Sequence, residues 1–226
     1  MRRPPFFVFA HDLGQTPLQW EDLIVAMPPG VGAACPWLRG TRPGGARVEF
    51  SLAGAGAGLI TALDENGAAT GTLVGVGLGA GLALRAAATA PDRVDAVVAI
   101  TPPAHASRRT LAAQRAAVRM MPRRTLAARN LDKDRLLGAL KAMADEAQEA
   151  PLARIAAPVT LVVGAGDRAG RAAAADLAAE LPDARLEQIP DVAGDLPRTA
   201  PAALAAIVFA GIDVAAQDQV QPWDLT

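Results

Sequence analysis

This 226-residue chain has one cysteine, two histidines, two serines, two lysines and no tyrosine, so it is poor in reactive side chains. With Cys35 alone, an internal disulfide and a cysteine-based zinc cluster are both excluded. His11 and His105 are too few for a multi-histidine metal centre, and no metal or cofactor is expected. Acids and bases nearly balance, with a formal net charge of -1, which excludes the broad positive field of a nucleic-acid binder. Long apolar runs are also missing. Glycine, proline and charges interrupt every stretch before the roughly 20 residues that a membrane span needs, so no membrane partner is expected. The apolar run Phe6–Ala10 stops at His11-Asp12, too short for a signal-peptide core, and a cytoplasmic protein is expected.

Short β-rich apolar runs alternate with alanine-rich stretches of helical character. This is the rhythm of a parallel sheet with crossover helices. Strands are expected at Phe6–Ala10, Ala33–Leu38, Gly71–Gly77, Ala96–Ile100, Val159–Gly164 and Arg185–Pro190. Thr16-Pro17-Leu18-Gln19 reads as a helix start, with Thr16 as cap, Pro17 at the first position and Gln19 closing a capping box. Further helices are expected over Ser51–Leu63, Gly79–Ala90, Ala169–Leu181 and Ala202–Ile212. Between Thr101 and Ala150 the rhythm breaks into helical segments without a strand. The expectation is therefore an α/β fold with a mainly parallel, doubly wound sheet of about six strands. Residues 1–100 and 151–226 form its core, and 101–150 form a small helical lid inserted in it.

The chemistry-bearing features lie at the ends of the expected strands. Leu73-Val74-Gly75-Val76-Gly77-Leu78-Gly79-Ala80 is a strand turning sharply into a helix. Phe7-Val8-Phe9-Ala10-His11-Asp12-Leu13-Gly14 is a strand followed by a loop of the form H-x-x-G. Pro36-Trp37-Leu38-Arg39-Gly40, Pro91-Asp92-Arg93-Val94, Gly164-Ala165-Gly166-Asp167 and Ile189-Pro190-Asp191-Val192-Ala193-Gly194 follow in order. In order and spacing these segments resemble the α/β-hydrolase superfamily over nearly the whole chain, from Phe6 to Ile212. The leading antiparallel strands of larger members are missing. The resemblance implies a nucleophile elbow at Gly75-Val76-Gly77-Leu78-Gly79, where G-x-S-x-G would place serine. It implies a base position at Gly194 and an acid at Asp167. It also implies an oxyanion hole from the backbone N–H groups of Leu13 and Leu78, opened by Asp12 where the family has glycine.

Hydrolysis on this scaffold needs a serine, a histidine to take its proton, and a carboxylate to orient the histidine. Here two of the three positions are glycine, and losing the nucleophile or base alone typically costs about six orders of magnitude in turnover. No histidine follows His105 that could replace the base. The resemblance therefore implies an α/β-hydrolase-fold chain without a triad, expected to be catalytically inactive and to bind a small apolar or acyl-like ligand or a protein partner. A homodimer stays open.

Other readings stand beside this one. An enzyme working without serine could position substrate with Asp12, Asp167 or His105, and would then be a carboxylic-ester-type hydrolase. Asp12 would oppose an oxyanion, or point away and bond its own loop. Asp167 could orient, contact ligand or cap the following helix. His105 could face the pocket or the surface. Gly75-Val76-Gly77-Leu78-Gly79-Ala80 and Gly164-Ala165-Gly166-Asp167-Arg168-Ala169 both match G-x-G-x-x-A, the nucleotide-binding pattern, although neither is followed by the acid that contacts ribose. Cys35 reads as a small buried hydrophobe within a strand. The acid-free, arginine-rich stretch from Arg108 to Arg129 reads as a solvated helix face or as an anion clamp.

Overall fold

The computed structural model describes residues 4–46, 48–102, 108–145 and 152–212. Among these, six strands form one all-parallel sheet: β1 (Phe6–Ala10), β2 (Gly32–Ala34), β3 (Gly71–Val76), β4 (Val94–Ile100), β5 (Val159–Gly164) and β6 (Ala184–Ile189). Their order across the sheet is β2-β1-β3-β4-β5-β6. The helices are α1 (Glu21–Val25), α2 (Leu52–Glu65), α3 (Leu78–Thr89), α4 (Arg108–Met120), α5 (Arg123–Ala127), α6 (Lys133–Asp145), α7 (Arg168–Glu180), α8 (Leu196–Thr199) and α9 (Pro201–Val208).

Alternate strand residues point to opposite faces, and both faces are covered. On one face Val8, Leu73, Val97, Ala99, Leu161 and Val163 pack with Leu59 and Leu63 of α2, Leu82 of α3 and Ala174 of α7. On the other, Phe7, Phe9, Val74, Val98, Ile100 and Val162 pack with Trp20, with Leu23 of α1 and with Leu204 and Val208 of α9. Phe9 lies tilted against Trp20 with ring centroids 5.2 Å apart, and Phe7 meets Phe209 edge-on at 5.3 Å. Each large side chain buried in this way contributes on the order of 1.5–3 kcal/mol. The sheet is thereby a rigid base for the loops at its C-terminal edge.

Two local expectations give way. The run Ala33–Leu38 is a strand only over Gly32–Ala34. Pro36 has no N–H for a ladder, and the Leu38 N–H turns instead to the His11 ring. Cys35 consequently sits half-buried in the loop after β2, packed against the core and not within a strand. Thr16 does cap the 3₁₀ turn Pro17–Trp20, accepting from the Leu18 N–H. Gln19 does not close a capping box; its buried side chain is drawn into the loop cluster above the sheet. Ser51 accepts from the Gly54 N–H at 3.0 Å and starts α2. The tail 213–226 lies outside the described residues.

Candidate functional site

The turn from β3 into α3 is packed backbone to backbone. A Cβ on Gly75 would stand 2.5 Å from Ala80 N, with the Gly79 carbonyl closer still. One on Gly79 would stand 2.8 Å from His11 O and nearer to the Ala10 carbonyl. Both positions need glycine because strand, helix and the loop after β1 touch backbone to backbone. This accounts for the G-x-G-x-x-A match without any pyrophosphate.

Gly77 lies between them at φ 53° and ψ -119°. That backbone is costly for any residue with a side chain. Its N–H donates to Ile100 O at 3.0 Å, which locks the elbow onto the end of β4. Thr101, the next residue, is held at φ 42°, an unusual state for a β-branched residue, with its N–H on Val162 O at 2.7 Å.

Asp12 does not point away. Its Oδ1 accepts the Leu78 N–H, the first N–H of α3, at 2.7 Å, and the Leu13 N–H also stabilises the charged carboxylate. The same carboxyl group occupies the space of a side chain at position 77. A Cβ there would lie 2.7 Å from Asp12 Oδ2 and closer to Oδ1 and Cγ. Asp12, Leu13, Gly77 and Leu78 are thus brought together. Burial pushes the Asp12 pKa above the ordinary carboxylate value and the nearby Asp195 charge adds to the rise, while the Leu78 and Leu13 N–H groups oppose it.

A chain of polar contacts steadies Asp12 from the other side. Its N–H donates to Gln19 Oε1 at 3.1 Å, and Gln19 Nε2 donates to Asp195 Oδ1 at 3.0 Å. Neither Gln19 nor Asp195 carried a signal that named it for this place. His11, 1% exposed, is fully used as a strut. Its Nδ1–H donates to Asp12 O at 2.8 Å, its Nε2 accepts from Leu38 N at 3.3 Å, and Trp37 meets its ring edge-on at 5.5 Å. Burial lowers its pKa to about 4, only partly countered by the bond to Asp12 O, so the imidazole is neutral.

Of the other expected positions, Asp167 is the N-cap of α7 and its Oδ1 accepts from the Gly170 N–H at 2.8 Å. Its loop abuts the segment before Gly194, since Gly166 N donates to Val192 O at 2.9 Å. Gly194 has φ 81° and open space where a Cβ would be. His105 lies outside the described residues. Cys35, whose thiol burial pushes up to about 11, is not a thiolate. Among the described residues no group of His, Cys, Asp and Glu could hold a metal ion.

Leu13 also touches the helices between β4 and β5. Leu126, Leu131 and Leu136 form a small apolar cluster, and Leu13 and Val118 pack against it. Arg135 of α6 ties these helices to the loop after β2, donating to the carbonyls of Gly40 (3.2 Å), Gly45 (2.6 Å) and Ala46 (3.1 Å). Beside that tie, Gly40, Val48, Phe50, Asp132, Arg135 and Gly138 border a cleft of about 470 Å³.

The sheet order, the elbow and the loops gathered above it define an α/β-hydrolase scaffold. Residues 41–171 match the family model described as the alpha/beta hydrolase fold, and the chain belongs to that family. Comparison with curated protein sequences gives no match. Among solved structures, the chain is similar to a hydrolase from Pseudomonas aeruginosa PA01, with 18% identity, TM-score 0.75, and 92% of this chain and 90% of that one covered. It is similar to NosK from Streptomyces actuosus at 23% identity and TM-score 0.74, covering 91% and 96%. It is also similar to a structure from a study of carboxylesterases of the Thaumarchaeon Nitrososphaera gargenis, at 17% identity and TM-score 0.74, covering 96% and 92%. At these identities the likeness carries the fold alone.

Proposed function

We propose that this chain is a non-hydrolytic member of its family, a binding protein in which an internal carboxylate stands where the nucleophile and the oxyanion would meet. The observation that carries this reading is the Asp12 carboxyl group, 2.7 Å from Leu78 N and lying in the side-chain space of residue 77. An oxyanion hole stabilises charge by N–H groups waiting for it; here the Leu78 and Leu13 N–H groups already face the Asp12 carboxylate. Glycine at positions 77 and 194 supplies neither nucleophile nor base, and the Asp167 carboxylate is engaged at the α7 N-terminus.

The same geometry supports a choice of ligand class. A carboxylate at the elbow repels an acyl oxyanion or a carboxylate ligand. The leucine cluster that reaches Leu13 favours a neutral, apolar one. In this reading the helices of residues 101–150 are the lid over that ligand. A nucleotide is disfavoured because the N-terminus of α3, where a pyrophosphate would sit, holds Asp12.

The test is hydrolysis of short- and medium-chain p-nitrophenyl esters by the native protein, Asp12→Asn, and the triple variant Asp12→Gly/Gly77→Ser/Gly194→His. Silence of the native protein with turnover by the triple variant supports the proposal. Native turnover that disappears in Asp12→Asn overturns it, and makes Asp12 the reactive group of a serine-free enzyme.

A further inference from the structure

The turn joining α4 to α5 carries the least ordinary surface of the described residues. Arg119, Met120, Met121, Pro122, Arg123, Arg124 and Thr125 are seven consecutive exposed residues. Met120 is 85% exposed and Met121 39%. Methionines at a corner are normally folded under it, because burial is their main favourable term. The backbone that carries them is tied down: Lys133 Nζ donates to Arg119 O at 2.6 Å, near the end of α4, and to Met121 O at 2.7 Å, just after it. The stretch Arg108–Arg129 holds seven arginines and no acid, although the chain as a whole is nearly neutral. Arg123 is held by Asp134, at 2.8 Å. Among the described residues no ion pair engages Arg119, Arg124 or the exposed Arg129.

From this we infer that the α4–α5 corner is a docking tip for an anionic phospholipid surface, with Met120 and Met121 entering the headgroup boundary and Arg119, Arg124 and Arg129 facing the lipid phosphates. Charge complementarity selects the anionic partner, and the shape of the feature selects a membrane over a protein. A specific protein interface needs on the order of 1,000 Å² of matched surface. The apolar part of this tip is two methionine side chains flanked by arginines, and a membrane accepts a few apolar side chains backed by basic residues close to its surface. No helix among the described residues is long and apolar enough to cross a membrane, and a surface contact needs none. Binding of this kind is weak and reversible, and it falls with salt.

The experiment is co-sedimentation of the full chain with vesicles of phosphatidylcholine alone and with 30 mol% phosphatidylglycerol (about a third anionic lipid, chosen to give a strong surface potential). It is run for the native protein, Met120→Ser/Met121→Ser and Arg119→Gln/Arg124→Gln. These positions are exposed, so both variants should melt as the native protein does. The expected result is binding to the anionic vesicles only. The arginine variant should bind more than tenfold more weakly, at roughly fivefold per charge removed, and the serine variant should also lose most binding. No sedimentation with anionic vesicles, equal sedimentation with neutral ones, or binding indifferent to both variants overturns the inference. A concentration-dependent dimer that the serine variant dissociates, without vesicle binding, overturns it in favour of contact between copies of the chain.

Discussion

Serine at position 77 should be harmful, and removing Asp12 with it should recover the part of the loss that comes from their overlap. In Gly77→Ser the new Cβ meets the Asp12 carboxyl group, with Oδ2 at 2.7 Å and Oδ1 and Cγ nearer, so one of them must move. The overlap alone costs about 1–3 kcal/mol. A side chain at φ 53° adds about 1–3 kcal/mol of backbone strain. If Asp12 swings out, the Leu78 N–H loses a charge-assisted bond worth about 1.5–3 kcal/mol. The single variant should therefore lose roughly 3–5 kcal/mol, or about 6–20 °C in Tm for a chain of this size at about 2–4 °C per kcal/mol. Asp12→Gly/Gly77→Ser removes the overlap and keeps only the backbone strain and the lost bond. Urea denaturation of both single variants and the double variant gives the coupling energy of the cycle. It should favour the double variant by at least about 1 kcal/mol over the sum of the singles. Additivity within about 0.5 kcal/mol would refute the placement of the Asp12 carboxylate over Gly77.

Two further outcomes follow from the site. The folded His11 pKa of about 4 lies below the ordinary 6.5 of the unfolded chain, so its contribution is present above pH 6.5 and is lost as pH falls towards 4. The loss amounts to about 3 kcal/mol, and His11→Gln should flatten the fall of the urea midpoint between those two pH values. Asp12, with its raised pKa, acts in the opposite sense, contributing most at low pH and losing that contribution as pH rises through its folded value. Asp167→Ala should cost about 0.5–2 kcal/mol in thermal or urea unfolding through the lost α7 cap. A loss within error would show that the cap bond is not holding α7.

The alternation of apolar runs with alanine-rich segments specified the parallel α/β sheet, because strands covered on both faces and crossover helices leave local signatures in period and composition. Phe6–Ala10 and Val159–Gly164 needed nothing beyond their own residues to be read as strands. The spacing of Gly75, Gly77 and Gly79 likewise marked the elbow, since close approach and a left-handed backbone are demands made on single positions. Tertiary structure decided what lies on that elbow. Asp12 reaches Leu78 across 66 residues, and Gln19 reaches Asp195 across 176. A carboxylate in a loop carries no mark of direction. That Asp12, besides bonding its own turn at Leu13, fills the space above Gly77 was decided only when β1 and β3 were laid side by side. The same holds for Gln19, whose place in a capping box was locally sound and was given up for two bonds that only the folded chain offers.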